Sequence, residues 1–321
     1  VVHFVFFEKR EIKMSRNFGI GTRDLAGAGH RFLQQSVQHK ALSFSSVDAL
    51  SDRWAQFAAF AKENGVGRME RISPELVQQY GRELAQKVQS KQISASYAQN
   101  LVSSVNTVMH LTPKSWQSVS PTRDCGIAER SLVRDTPVLT EREPFNAALS
   151  ALRASGNFRG AAVAELAREL GLRSKEAALL NAHSALKEAQ NKGYITITDG
   201  TKGGRSREVP ILHEKQLEAL KNASHAQENA RAVMPADKNW AQYRNELQNV
   251  REVLKENGFA GLHDLRSAYA ADRYEQLTGQ VAPINNGGLI TDKAADYAAR
   301  EQITAELGHG RIDVVSAYIG G

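Results

Sequence analysis

Helical spacing of apolar residues runs through two long blocks of this chain, at about 29–115 and about 138–321. In an amphipathic helix, apolar side chains recur every three or four positions so that one face can pack against a core. Two runs in the first block show this spacing: Leu76, Tyr80, Leu84 and Val88, then Tyr97, Leu101, Val105 and Val108. A chain of 321 residues is longer than a domain with a single hydrophobic core usually is. We therefore predict two mainly helical domains.

Helix starts in the first block have the residue types that cap helices. Ser73 precedes Pro74, which suits the first helical turn, and Ser94 can cap the next helix. The aromatic residues of this block lie at helical spacing and are best explained as core. We predict a small domain of about four helices over residues 29–115.

The remaining boundaries are set by composition. Residues 1–28 predict a flexible lead-in; a start at Met14 would make residues 1–13 upstream translated sequence. Residues 116–137 are rich in Ser, Thr, Pro and Arg without a period, which indicates a linker. The second domain is then 138–321, and the capping-box pattern of residues 140–143 predicts its first helix start.

One segment of the second domain breaks the helical rule. Residues 194–198 are β-branched and alternating, glycines follow, and residues 208–211 form a second short apolar run. This pattern predicts a β-hairpin whose turn carries Lys202. The fold class is therefore mainly α with a small β-hairpin or sheet, in two domains.

The charge and the cysteine count indicate which binding partners and which cellular compartment fit the protein. The formal net charge of +6 fits a polyanionic partner without proving one. Cys125 is the only cysteine, so no disulfide forms within the chain and a reducing cytoplasm is compatible. No stretch approaches the 18 apolar residues of a membrane span, and neither a Walker A loop nor a Cys/His zinc pattern is present. We expect no cofactor, no metal and no membrane association.

Six residues carry the candidate chemistry, and each has a simpler explanation when taken alone. Arg173 could pair with Glu176 on the surface, Lys202 could be an exposed turn residue, and Tyr318 could be packing. The spacing of His263 and Arg266 is common by chance on helices. The six residues are Arg173, Lys202, His263, Arg266, His309 and Tyr318. Together, two guanidiniums can clamp a phosphate, a lysine and two imidazoles can move protons, and a phenol can attack. This combination indicates breaking and rejoining of a nucleic-acid backbone.

The order of these motifs adds a family resemblance. The chain has GLRSKE, then TKGGRSREVPI, then HDLR, then LGH with a tyrosine nine residues further on. Over about residues 50–321 it resembles the tyrosine recombinase, or phage integrase, family. The first helical block resembles that family's SAM-like core-binding domain, which binds DNA.

The resemblance implies a role for each candidate residue. Tyr318 would attack a DNA phosphodiester to form a 3′-phosphotyrosyl link. Arg173 and Arg266 would hold the non-bridging oxygens. Lys202 would be the general acid and His263 the general base, and His309 would support the phosphate. No nucleotide cofactor would be needed, because the ester keeps the bond energy.

The resemblance also implies a site-specific recombinase that integrates or excises a mobile element. Its partners would be double-stranded DNA, held in a clamp of the two domains, and three further copies in a homotetramer at the synapse. Accessory DNA-bending proteins are compatible partners. Binding mainly to the backbone should weaken steeply with salt. The expected location is the cytoplasm, associated with the nucleoid.

Two departures from the family pattern leave alternatives open. Arg266 and His309 are further apart than expected, with the excess at residues 280–299, part loop and part helix. The sequence stops at Gly321 where a tail docking on a neighbouring protomer is expected, so truncation is considered. One alternative is type IB topoisomerase-like DNA relaxation. Another is a truncated DNA-binding protein that does not cut.

Overall fold

The computed structural model describes residues 16–38 and 44–321, so the expectations for residues 1–15 lie outside the described residues. Contacts divide the chain into two compact units, Val1–Arg130 and Ser131–Gly321. Each unit is mainly helical, and the only sheet among the described residues is a two-stranded hairpin. The predicted fold class is therefore confirmed. No described helix combines the length and apolar character that crossing a membrane requires.

The described residues of the first unit form four α-helices around one apolar core. They are α1 (Leu25–Gln38), α2 (Phe44–Glu63), α3 (Pro74–Gln89) and α4 (Ala95–His110). Ser73 and Ser94 cap α3 and α4 as predicted, accepting hydrogen bonds from the backbone of Leu76 and Tyr97. Trp54 is fully buried in this core, and its indole N–H donates to the carbonyl of Leu25 at 3.0 Å.

Residues at both ends of the first unit pack more closely than their composition suggests. In the predicted lead-in, Asn17 is buried and its side-chain oxygen accepts from the backbone N–H of Met69 at 3.0 Å. In the predicted linker, four apolar side chains are buried in the core of the first unit: Trp116, Val119, Cys125 and Ile127. Their irregular spacing gives no periodic signal, because they lie in irregular segments rather than on one helix face.

The described residues of the second unit form nine α-helices and a β-hairpin. These are α5 (Arg142–Ala154), α6 (Phe158–Leu170), α7 (Ser174–Leu179), α8 (Ala182–Lys192), α9 (Glu214–Gln227), α10 (Trp240–Glu256), α11 (Leu262–Thr278), α12 (Lys293–Glu306) and α13 (Ser316–Ile319). Strands β1 (Tyr194–Ile197) and β2 (Arg207–Pro210) are antiparallel, and Ile195 pairs with Val209. The first helix begins at Arg142 without a side-chain cap, so the predicted capping box at residues 140–143 does not form.

Two apolar clusters form the core of the second unit. The larger joins α5 to α10 with the hairpin and the start of α11, and the smaller joins α11, α12 and α13. Residues 280–292 form the loop between α11 and α12, with a short 3-10 turn at Pro283–Asn285. The predicted mixture of loop and helix over 280–299 therefore agrees with the structure.

Candidate active site

The junction between α6 and α7 places Arg173. Helix α6 ends at Leu170, and Gly171 closes it in the left-handed conformation at a φ of 62°. A Cβ on Gly171 would lie 2.5 Å from the ring of Tyr269 and 2.9 Å from Leu307, so glycine allows α11 and the end of α12 to approach. Arg173 then occupies the N-cap position of α7 at this crowded point, and its backbone N–H donates to Glu176 at 2.7 Å.

The first turns of α11 carry two candidate residues, His263 and Arg266. Leu262 and Leu265 are buried and anchor the turn, Arg266 is 1% exposed, and His263 is exposed. Arg266 donates hydrogen bonds to the carbonyls of Gly171 and Leu307. These carbonyls fix the plane of the guanidinium. Burial lowers the pKa of Arg266 to about 10, so the group stays charged at neutral pH.

Tyr318 lies on the four-residue helix α13 and is 4% exposed. Its phenol oxygen accepts a hydrogen bond from Nε of Arg266 at 3.2 Å and lies 3.0 Å from Nε2 of His309. An oxygen that accepts from arginine can donate its own proton to a neutral imidazole. The pair of distances therefore describes a chain from Arg266 through Tyr318 to His309.

Both candidate histidines favour the neutral form. Desolvation, and after it the positive charges of Arg266 and Arg173, lower the pKa of His309 to about 4. Desolvation and Arg266 also lower the pKa of His263, although that residue is still exposed to solvent. The His263 ring lies 5.1 Å from the Tyr318 ring, centroid to centroid. His309 is thus within hydrogen-bond distance of the phenol oxygen. The resemblance had implied His263 as the general base for Tyr318.

A buried carboxylate links the arginines. Glu176 accepts from the side chain of Arg173 at 2.6 Å, and its nearer oxygen lies 3.9 Å from the Arg266 guanidinium. It also accepts two hydrogen bonds from Arg207, at 2.7 and 2.9 Å. Burial alone would raise the pKa of Glu176, but the hydrogen bonds and charge of Arg207, followed by Arg173, lower it to about 2. The pairing of Arg173 with Glu176 that suggested a surface role is therefore part of the site.

Arg207 is a functional candidate that sequence reasoning missed. It lies on β2, is 8% exposed, and its Nε donates to the backbone carbonyl of Glu306 at 2.7 Å. The sequence pattern could have identified it. Arg207 and buried Val209 are two positions apart on β2, so their side chains lie on the same inward face of the strand. A charged residue at an inward position of a strand requires a buried partner.

The hairpin turn carries Lys202, and the structure does not bring its side chain to the cluster. Lys202 is exposed in a 3-10 turn, Lys202–Gly204, and no contact with the other five residues is seen within 16–38 and 44–321. The hairpin itself packs next to the cluster. The Arg207 side chain lies so close to Gly308 that a Cβ on this glycine would be 2.7 Å from it. Residues 205–208 and 308–309 line a common cleft of about 830 Å³.

Five of the six predicted residues therefore surround one point. Arg173, His263, Arg266, His309 and Tyr318 are connected by direct contacts or by Glu176. Nε of Arg266 donates to the Tyr318 hydroxyl, and Nη2 lies 3.4 Å from Nε2 of His309, so an anion bound there would lie beside the phenol oxygen. Among the described residues, no group of three or more His, Cys, Asp and Glu is arranged to hold a metal ion.

Comparisons with known proteins agree with this architecture. Residues 134–272 match the family model described as Integrase. No curated protein sequence matches the chain significantly.

Solved structures extend the likeness to the first unit. The Tn1549 transposon integrase bound to transposon right-end DNA has a TM-score of 0.57 at 10% identity, over 90% of this chain and 94% of that chain. A lambda integrase dimer bound to a COC′ core site has a TM-score of 0.57 at 15% identity, over 90% and 94%. XerH recombinase bound to a palindromic difH substrate has 0.55 at 14% identity, over 93% and 94%.

At these identities the solved structures establish the fold, and the family model adds the sequence pattern of residues 134–272. The resemblance predicted from the motifs is therefore confirmed: the chain shares the fold of these tyrosine recombinases, and its residues 134–272 match the sequence pattern described as Integrase.

Proposed function

We propose that this protein is a tyrosine-type site-specific recombinase that cuts and rejoins DNA through a 3′-phosphotyrosyl intermediate. The observation that carries the proposal is the hydrogen-bonded chain from Arg266 through Tyr318 to His309. A phenol becomes a useful nucleophile when a base can take its proton and a fixed positive charge lies beside its oxygen. The distances from the Tyr318 oxygen to His309 and to Arg266 support this role for Tyr318.

The reaction exchanges one phosphate ester for another. The phenol oxygen of Tyr318 attacks the phosphorus, the bond to the 5′-oxygen breaks, and DNA remains joined to the protein through its 3′-phosphate. The phenol proton goes to an imidazole; the distance favours His309, and His263 is the alternative. The leaving 5′-oxygen takes a proton from Lys202, which must move to the site when DNA binds. Attack by the 5′-hydroxyl of a second strand reverses these steps.

The arginines act on the charge of the transition state. Arg173 and Arg266 hold the non-bridging oxygens as negative charge builds on the phosphate. Glu176 keeps both guanidiniums in place, because it binds Arg173 directly and holds Arg207 beside them. The phosphotyrosyl ester keeps the energy of the original bond. The reaction therefore needs no nucleotide cofactor.

The proposed partners are double-stranded DNA and further copies of the protein. The similar solved structures include a lambda integrase tetramer bound to a Holliday junction and XerH bound to difH DNA. By analogy, the first unit is the core-binding domain, the second is catalytic, and four protomers join two duplexes. The reaction would integrate or excise a mobile element in the cytoplasm, at the nucleoid. Accessory DNA-bending proteins would be additional partners.

The test uses nicked suicide duplexes that carry candidate target sites. Cleavage next to the nick releases a short fragment, so the protein remains covalently attached to labelled DNA. We expect a slow-migrating, protease-sensitive band on a denaturing gel, and joining of two differently labelled duplexes when intact sites are supplied. An adduct without joining would favour relaxation of single duplexes, and DNA binding without an adduct on any substrate would favour a protein that does not cut.

A further inference from the structure

The helix that carries Tyr318 is too short to be stable on its own. Helix α13 has four residues, Ser316–Ile319, which is a single turn. Isolated helices of this length are unstable in water, because nucleation is unfavourable and few hydrogen bonds are gained. Contacts outside α13 must therefore set the place of the phenol oxygen.

Arg300 forms hydrogen bonds with this helix on both sides of the tyrosine. Its Nη1 donates to the hydroxyl of Ser316 at 3.1 Å and to the carbonyl of Gly320 at 2.9 Å. These two residues lie two positions before and two positions after Tyr318. The arginine is 8% exposed, and its Nε donates to both carboxylate oxygens of Asp296 at 2.9 and 3.0 Å. The guanidinium is thus fixed from one side and binds α13 from the other.

The loop before α12 supports the same helix. Gly320 has a φ of 80°, and a Cβ there would lie 3.1 Å from the backbone nitrogen of Ile284. Asn285 holds this loop in place through two hydrogen bonds with the backbone of Val138, at 2.8 and 2.9 Å. The loop therefore lies directly against the end of α13.

Four of these supporting residues belong to the segment 280–300, which contains the excess length between Arg266 and His309: Ile284, Asn285, Asp296 and Arg300. We infer that this segment is a docking platform for the nucleophile helix, and that Arg300 is the residue that positions Tyr318. Arg300 contacts no reacting atom, so it acts through α13. The inference rests on the proposed function.

Arg300→Gln tests the inference, because glutamine removes the charge and cannot span both acceptors. We expect the dissociation constant for DNA to stay within about twofold, while the single-turnover rate of adduct formation falls about a hundredfold, since small misplacements of a reacting group are costly. Arg300→Lys keeps the charge and should recover part of the rate. The matched control is Arg244→Gln, an exposed arginine of α10 outside the segment 280–300, for which we expect no change in the cleavage rate.

Hydrogen exchange distinguishes local positioning from general destabilisation. In Arg300→Gln, the amides of residues 316–320 should exchange faster, while those of α11 keep the wild-type rate. Ser316→Ala provides a milder variant that removes one acceptor and leaves Arg300 in place. We expect about a tenfold lower cleavage rate for it, as for loss of one hydrogen bond to a charged group.

Three outcomes would overturn the inference. Wild-type cleavage by both Arg300→Gln and Ser316→Ala would show that α13 needs no support from Arg300. Faster exchange throughout the second unit, with DNA binding lost as well, would make Arg300 merely structural. Failure of Arg300→Gln to fold, with wild-type cleavage by Ser316→Ala, would also count against it. Failure of the proposed function is separate, because the wild-type protein would then form no adduct at Tyr318.

Discussion

At the scale of single residues, Arg266 determines the electrostatics of the site. Its guanidinium is removed from water and bound to two backbone carbonyls, yet it retains its charge at neutral pH. Desolvation of His309 and, after it, the positive charge of Arg266 favour the neutral imidazole, and the same charge lies beside the Tyr318 oxygen, where negative charge develops in the proposed reaction. In the proposed reaction, the same residue binds the phosphate and assists the nucleophile.

The protonation state of His309 can be measured directly in the protein without DNA. Desolvation and Arg266 lower its pKa to about 4, below the usual 6.5. Because the folded-state pKa is depressed, the resulting stability is present above 6.5 and is lost as the pH falls towards 4. We expect the ring resonances of His309 in an NMR titration to stay constant down to about pH 5. A midpoint at 6.5 or higher would contradict this electrostatic description.

Lys202 is predicted to be the general acid, and a sulfur substrate isolates that role. A bridging 5′-thiolate leaves without protonation, so it needs little acid assistance. Lys202→Ala should therefore cleave normal DNA orders of magnitude more slowly and recover most of its rate on the sulfur substrate. Lys221→Ala, an exposed lysine on α9, is the control and should cleave both substrates normally. Equal impairment of Lys202→Ala on both substrates would assign the proton to another group.

At the scale of secondary structure, the site depends on the junctions and contacts between helices and the hairpin. The left-handed Gly171 lets α11 and the end of α12 approach, and the hairpin brings Arg207 to Glu176. The end of α6 at Gly171, the hairpin and the HxxR turn of α11 were all predictable, because each is a local pattern. The convergence of these elements is not local, and the sequence alone supplies it only through the family resemblance.

Glu176 is predicted to stabilise this arrangement of elements. Glu176→Gln leaves the buried Arg207 guanidinium without a counter-charge, so the free energy of unfolding at pH 7 should fall by about 3–5 kcal/mol. Because the pKa of Glu176 is lowered to about 2, its contribution is present above 4.5 and is lost as the pH falls. The difference between wild type and variant in urea denaturation should therefore shrink below pH 4.5.

Glu208→Gln is the matched control for this variant, because Glu208 lies on the same strand as Arg207 and is exposed. We expect its free energy of unfolding to stay within about 0.5 kcal/mol of wild type. Equal stability of Glu176→Gln and Glu208→Gln would mean that the buried ion pair adds nothing to the fold.

At the scale of the whole molecule, the two-unit organisation and the mainly helical class follow from periodicity, whereas the packing between segments does not. Cys125 lies in a stretch that reads as a linker, yet a Cβ on Gly81 would lie 2.2 Å from its sulfur. Arg300 was missed for a related reason. It shares the inward face of α12 with Ile303 and Leu307, but its partners Ser316 and Gly320 are distant in sequence.

The central claim is that Tyr318 forms the covalent link to DNA. The most direct measurement is isolation of DNA-linked protein under denaturing conditions, digestion with nuclease and trypsin, and mass spectrometry of the peptide that begins at Ile312. This peptide contains Tyr318 as its only tyrosine. We expect a nucleotide attached to it through a 3′-phosphate in the wild-type protein, and no adduct from Tyr318→Phe although DNA binding persists. A nucleotide on another residue, or an undiminished adduct yield from Tyr318→Phe, would contradict the claim.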